Sequence, residues 1–158
     1  MVLCDHVTVA RGSAPDVTRK RLTFRIATLM SSNFKPDQYS TVSPYLIAAG
    51  AQKVIEFLKK AFGASELRRF DLPDGSIMHA EVRIGDTVVM IGDAGQDWPA
   101  APAHIHVYVE DVDVTFDRAL DAGGVLVQRP ERKNQDPDRR GGVKDPAGNT
   151  WWIATQVS

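Results

Sequence analysis

The chain is poor in cysteine: Cys4 is the only one in 158 residues. That excludes an internal disulfide framework and a Cys-x-x-Cys metal clip, and it suits a reducing compartment, so a cytoplasmic location is expected. No apolar run reaches the roughly 18 residues that a membrane-spanning helix needs, so no membrane partner is expected. An excess of one charge is missing as well, with 19 Lys and Arg against 20 Asp and Glu and a net charge of -1. Nucleic-acid and anionic-membrane binding rest on clustered cations, so nucleic acid is not an expected partner and a small-molecule ligand fits better. There is no Gly-x-Ser-x-Gly elbow, which leaves no nucleophile machinery. Gly141-Gly142 stands before a strand and not before a helix, so it is not a phosphate loop.

What is present begins after an N-terminal extension, residues 1–40. Up to Met30 this stretch holds Arg11, Arg19, Lys20, Arg21 and Arg25 against Asp5 and Asp16, with no helical period. A secretory apolar region with a small-residue cleavage site is lacking. Two readings stay open: an Arg-rich, acid-poor targeting segment, or a leader or over-long start ahead of a natural Met30.

From Thr41 the pattern sharpens. VSPYLIAAG reads as a strand, and AQKVIEFLKKAFG places Val54, Phe57, Leu58 and Ala61 on one helical stripe that Gly63 ends. ELRRFDL, a Pro73-Asp74-Gly75 turn, SIMHAEVRI, a Gly85-Asp86 turn and TVVMI follow as three strands. The second half repeats the order: HIHVYVEDV as strand, and DVTFDRALDAGG as helix with Val112, Phe116, Ala119 and Leu120 on one side. Then come VLVQRP, the polar loop ERKNQDPD, RRGGVK, the turn DPAGN and TWWIATQ. A shift of about 60 residues superposes Ser43 on His104, Ile55 on Phe116, Gly63 on Gly124 and Met90 on Trp152, the mark of a duplicated unit. The expected fold class is α+β, two tandem βαβββ modules in a curled, mostly antiparallel sheet around a cavity. The domain spans residues 41–156, with modules at 41–95 and 103–156.

Alternation along each strand divides the two faces. Ile105, Val107 and Val109 should pack on a helix, which turns His104, His106 and Tyr108 toward the cavity. In the first strand Leu46 and Ala48 pack, leaving Ser43, Tyr45 and Ile47 on the cavity side. Met78, Ala80 and Val82 pack in the third, which leaves Ile77, His79 and Glu81 outward or in the cavity.

The runs PYLIAAGAQKVIEFLKKAFGA, DGSIMHAEVRIGDTVVMIGD, HIHVYVEDVD and KDPAGNTWWIAT together resemble the PhnB-like branch of the glyoxalase/bleomycin resistance/dioxygenase (vicinal oxygen chelate) superfamily. The resemblance implies paired βαβββ modules curling into a cavity, usually within a homodimer. It also implies, for metal-dependent members, a divalent ion held by one residue from the first and last strands of each module. Those four places carry over to Ser43, Met90, His104 and Trp152. Only His104 is a competent ligand, since a thioether contributes little and an indole N–H is a donor only. No cofactor is therefore expected, and a divalent metal is disfavoured; a metal, if held, would sit on His104.

The candidate ligand-binding residues are Ser43, Tyr45, His79, Met90, His104, His106, Tyr108 and Trp152, with His104 the candidate for acid/base chemistry because imidazole titrates near neutrality. Tyr45, Tyr108 and Trp152 would wall a flat ligand or pack at the module seam. His79, His104 and His106 together would make a noncanonical metal site. Trp151 is expected on a helix, and Glu81 and Arg83 on a solvated strand face. Arg132, Lys133, Arg139 and Arg140 belong to a solvated loop or to a lid over an anionic substrate. The function that fits is a small-molecule-binding protein lacking the usual metal-ligand set, for drug or metabolite sequestration. The alternative is a glyoxalase-like lyase, isomerase or oxidoreductase on a small oxygenated substrate through His104. N-terminal sequencing of the native protein separates the two readings of the extension; a chain that begins at Met1 removes the Met30 start.

Overall fold

A computed structural model describes residues 34–157; the expectations for residues 1–30, the Met30 start among them, lie outside the described residues. The elements are β1 (Tyr45–Ala48), α1 (Ala51–Phe62), β2 (Ser65–Asp71), β3 (Ile77–Ile84), β4 (Thr87–Asp93), β5 (His104–Tyr108), α2 (Val112–Asp121), β6 (Val125–Arg132), β7 (Asp138–Lys144) and β8 (Thr150–Gln156). Each half folds into a four-stranded sheet with the same order, β1-β4-β3-β2 and β5-β8-β7-β6. In both, the first strand runs parallel to the last and the remaining pairs are antiparallel. The duplicated βαβββ unit is therefore present twice, in two separate mixed sheets that do not close into one. Among the described residues no helix is long and apolar enough to cross a membrane.

The expected stripe of α1 is buried: Val54, Leu58 and Ala61 are fully inaccessible and Phe57 nearly so. Gly50, before this helix, offers no side-chain cap. Asp93, at the end of β4, replaces it: Oδ1 accepts the Ala51 N–H at 2.7 Å and Oδ2 accepts the Ile77 N–H at 2.7 Å. One carboxylate thus satisfies the positive end of the helix and pins the start of β3. Gly63 ends α1 at φ 65°, a left-handed conformation that favours glycine. In α2 the cap is local, with Asp111 Oδ1 accepting the Val114 N–H at 3.0 Å.

The two helices meet at the seam between modules, in a single core that draws on both halves. The Phe62 ring of α1 packs tilted against Trp151 of β8 at 5.2 Å, so Trp151 packs on a helix as its pattern indicates. Gly124 lets the halves close: a Cβ there would stand 2.3 Å from Val143 Cγ1 and 3.1 Å from the Phe57 ring.

Two expectations need correction. Ile77 is 2% exposed and Met78 54%, the reverse of the alternation rule. Pairing steps from Phe70–His79 to Asp71–Ile77, a β-bulge that inserts Met78 and flips the faces before it. The polar loop of module two is also shorter than its composition suggests, because β6 runs to Arg132 and β7 begins at Asp138.

The DPAGN turn is organised by Asp145, which is 3% exposed. Its Oδ1 accepts from the Ala147 and Asn149 backbone N–H groups at 2.9 and 3.0 Å; Oδ2 accepts from Asn149 Nδ2 at 2.8 Å and Trp151 Nε1 at 3.0 Å. Asn149 Oδ1 in turn takes the Ala103 N–H, just before β5, at 3.0 Å. Asp145→Ala strands these donors in a dry site and is expected to lower unfolding free energy by about 2–4 kcal/mol in urea titrations. A loss below about 1 kcal/mol would show that the turn holds without its carboxylate.

Candidate functional site: two open sheet faces

In module one the strand register lines up Tyr45, Met90, Glu81 and Arg68 in one row across β1, β4, β3 and β2, on the face away from α1. Glu81 is its centre, only 5% exposed. Oε2 accepts a short hydrogen bond from the Tyr39 hydroxyl and lies 3.6 Å from Arg68 Nε, and Oε1 lies 3.2 Å from His79 Nε2. The other ring nitrogen, Nδ1, is 3.4 Å from the Tyr45 hydroxyl. The Tyr45 and Phe70 rings flank His79 at 5.6 and 6.4 Å. Gly92 makes the room: a Cβ would come within 3.2 Å of the Tyr45 hydroxyl oxygen and 3.0 Å of the Met78 carbonyl. Burial alone would push the Glu81 carboxyl up, but the Tyr39 hydroxyl, the His79 ring and the Arg68 guanidinium outweigh it and hold the group below the usual carboxylate range. The same bond to Glu81, with burial second, holds the Tyr39 phenol above its ordinary value.

The equivalent row in module two is His106, Trp152, Gly142 and Gln128 across β5, β8, β7 and β6. Where module one has a buried charge, module two has glycine, and the Trp152 indole occupies the space. A Cβ on Gly142 would fall 2.7 Å from its ring. Trp152 Nε1–H donates to His104 Nδ1 at 3.1 Å, with the two rings stacked at 6.2 Å. His106 and Tyr108 rings meet at 4.7 Å. The Tyr108 hydroxyl donates to buried Asp138 at 2.8 Å, a bond that, ahead of burial, raises the Tyr108 phenol from its usual value. A pocket of about 290 Å³ opens among His106, Gln128, Lys133, Arg140 and Trp152.

The candidate residues therefore stand in two groups. Tyr45, His79 and Met90 share the module-one face; His104, His106, Tyr108 and Trp152 share the module-two face. Ser43 precedes β1 and is half-buried. The three-histidine metal site is not assembled, because His79 lies on the other sheet from His104 and His106. Glu81 is not on a solvated face, and the loop arginines are not free for a lid. Arg139 holds Asp113 with two bonds of 2.9 and 2.7 Å, Arg140 holds Asp136 at 3.0 Å, and Arg132 donates to the Asp136 carbonyl at 3.1 Å. Tyr39 escapes sequence reading altogether, and Asp138 counted only as part of the polar loop; Glu81 had a signal, two residues from His79 on the same face. The larger cleft, about 1090 Å³, runs along the module seam beside apolar Phe62, Ile84, Val89, Ile105 and Val107. Of the candidate residues it takes in only His106 and Tyr108.

The residues at the four family positions do not fit a divalent ion. Met90 and Trp152 bring a thioether and a donor-only indole, and the indole consumes the Nδ1 lone pair of His104. Among the described residues no three His, Cys, Asp or Glu side chains converge as a metal site would require.

Residues 40–153 match the family described as Glyoxalase/Bleomycin resistance protein/Dioxygenase superfamily; the match is to the superfamily and names no branch. A Mycobacterium bovis protein, itself uncharacterized, is 37% identical over 139 residues, covering 81% of this chain and 88% of its own. Among solved structures, TioX from Micromonospora sp. ML1 superposes with a TM-score of 0.64 at 26% identity, over 75% of this chain and 99% of that one. TnmS3, an antibiotic binding protein from Streptomyces sp. CB03234, superposes with a TM-score of 0.57 at 19% identity, over 77% and 96% of the two chains. That second likeness is one of fold.

The depressed Glu81 carboxyl fixes the sign of a pH effect. The unfolded chain takes up the Glu81 proton at higher pH than the folded one. The stability it contributes is thus present above the unfolded value near ~4.3 and lost as pH falls through the lower folded value. Between pH ~5 and ~3, unfolding free energy of the wild type should fall more steeply than that of Glu81→Gln, measured by urea titration at each pH. Parallel profiles would show that Glu81 is not held ionised by its neighbours.

Proposed function

We propose, from the premise that the chain belongs to the glyoxalase/bleomycin resistance protein/dioxygenase superfamily, that it is a metal-independent small-molecule-binding protein that sequesters a drug or metabolite. The observation that carries this reading is the Trp152–His104 pair. An indole stands where the resemblance would put a metal carboxylate, and it both walls the face with an aromatic surface and occupies a histidine nitrogen. Flat apolar walls with a few fixed polar groups are the usual make-up of small-molecule sites. The antibiotic-binding role of TnmS3 supports the same reading on a shared fold.

A homodimer completes the cavity, the module-one face of one protomer meeting the module-two face of its partner. Three features support this. The two sheets of one chain have no hydrogen-bonded pairing between them. Tyr45, Phe70 and Tyr108 are 47%, 52% and 64% exposed, more aromatic surface than a finished binding wall leaves open. Ile105 and Val107 line the seam cleft half-covered.

Titration of the metal-free protein with a panel of glycopeptide, peptide and aromatic antibiotics, followed by tryptophan fluorescence, is expected to give a saturable response for at least one class. Silence across a broad panel counts against sequestration. Native mass spectrometry of untagged protein grown in metal-supplemented medium checks the rest. A dimer carrying less than ~0.1 equivalent of divalent ion is expected, whereas a monomer or a stoichiometric ion would overturn the corresponding half of the reading.

A further inference from the structure

The direction of hydrogen bonding can be followed along each face. In module one the ionised Glu81 carboxylate can only accept, so His79 Nε2, 3.2 Å from Oε1, carries the ring proton. Nδ1 of a neutral ring is then bare, and the Tyr45 hydroxyl, 3.4 Å away, donates to it. Donors run from Tyr45 to His79 to Glu81 and end on an anion fixed by Tyr39 and Arg68. With its proton turned toward His79, the Tyr45 oxygen keeps only lone pairs for a ligand, on a residue that is 47% exposed.

Module two runs the other way. The Trp152 indole can only donate, and it donates to His104 Nδ1 at 3.1 Å. The proton of the neutral His104 ring therefore sits on Nε2, so this exposed side chain presents a donor outward. The carboxylate beneath one histidine and the indole beside the other place both ring protons on Nε2, but His79 directs its proton to Glu81 while His104 keeps its own for a ligand, the sort of positioning by a neighbour that fixes a histidine's function.

We propose that the two faces make a site of opposed polarity, selective for a hydroxylated aromatic carbonyl compound: the ligand hydroxyl donates to Tyr45 and its carbonyl oxygen accepts from His104. The flat body of such a ligand suits the Phe70, Tyr108 and Trp152 rings. The proposal rests on the binding reading above and adds the ligand's class and orientation. It involves no covalent step.

Three probes of nearly equal size test it by calorimetry with the full chain at neutral pH: 4-hydroxybenzophenone, 4-methoxybenzophenone and 4-benzylphenol. The first keeps both groups, the second masks the donor, and the third lacks the carbonyl. The hydroxyketone is expected to bind about tenfold tighter than either of the others, the worth of one hydrogen bond with a buried partner left unmade. In Tyr45→Phe the gap to the methyl ether closes while the gap to 4-benzylphenol persists; in His104→Phe the pattern reverses. His79→Leu frees the Tyr45 proton, so the methyl ether should gain on the phenol, an effect that mere loss of packing would not produce. Equal affinities in the wild type, or variants that close the wrong gap, overturn the polarity. No binding of 4-hydroxybenzophenone overturns the ligand class while leaving sequestration to be judged by the antibiotic panel.

Discussion

The contact between α1 and α2 is the constraint from which the rest of the structure follows. Each βαβββ unit has one helix and four strands, so each sheet can be dried on one face only. When the two helices also bury against one another, the other face of each sheet is left as surface. Gly124 shows how closely this is arranged, since any side chain there would drive into Val143 and Phe57. The open faces are thus not cavities hollowed out of a core. They are what remains when the apolar stripes of both halves have been satisfied, and this leaves them free to carry polar and aromatic groups.

Those faces began as copies and have diverged at corresponding positions. Tyr45 answers to His106 and Met90 to Trp152 in the register of the parallel pairs, and Glu81 answers to Gly142 one strand further on. A buried carboxylate is costly unless neighbours hold its charge, and Tyr39, Arg68 and His79 do so. At the matching place module two has no side chain, and an indole fills the volume. Charge on one sheet and aromatic surface on the other are two ways to furnish the same pleat. Tyr45 and Glu81 engage both nitrogens of His79, whereas Trp152 engages only Nδ1 of His104.

Much of this was legible beforehand. The two repeats, the helical stripes and the inward set of β1 and β5 follow from periods of 3.6 and 2, because apolar side chains at those spacings can be dried only on one side. Local irregularity broke the rule where it failed. The bulge at Met78 is one extra residue in a ladder, with no composition signal to announce it, and it exchanged the fates of Ile77 and Met78. Arg139 looked free because its partner is distant in sequence, Asp113 lying 26 residues away; Arg132 and Arg140 meet Asp136 only four residues off, but through a turn whose geometry the composition does not announce.

The sequence by itself determined the architecture, the poverty of metal ligands at Ser43, Met90 and Trp152, and the presence of histidines on the strand positions opposite the helix-packing set. These are one-dimensional facts: spacing and residue type suffice for them. Only the tertiary structure decided that the candidate residues form two groups and not one, that Glu81 is buried beneath His79, and that Trp152 donates to His104. Those depend on which strands become neighbours and on where a glycine leaves room, and the side on which His104 carries its ring proton follows from its place beside the indole.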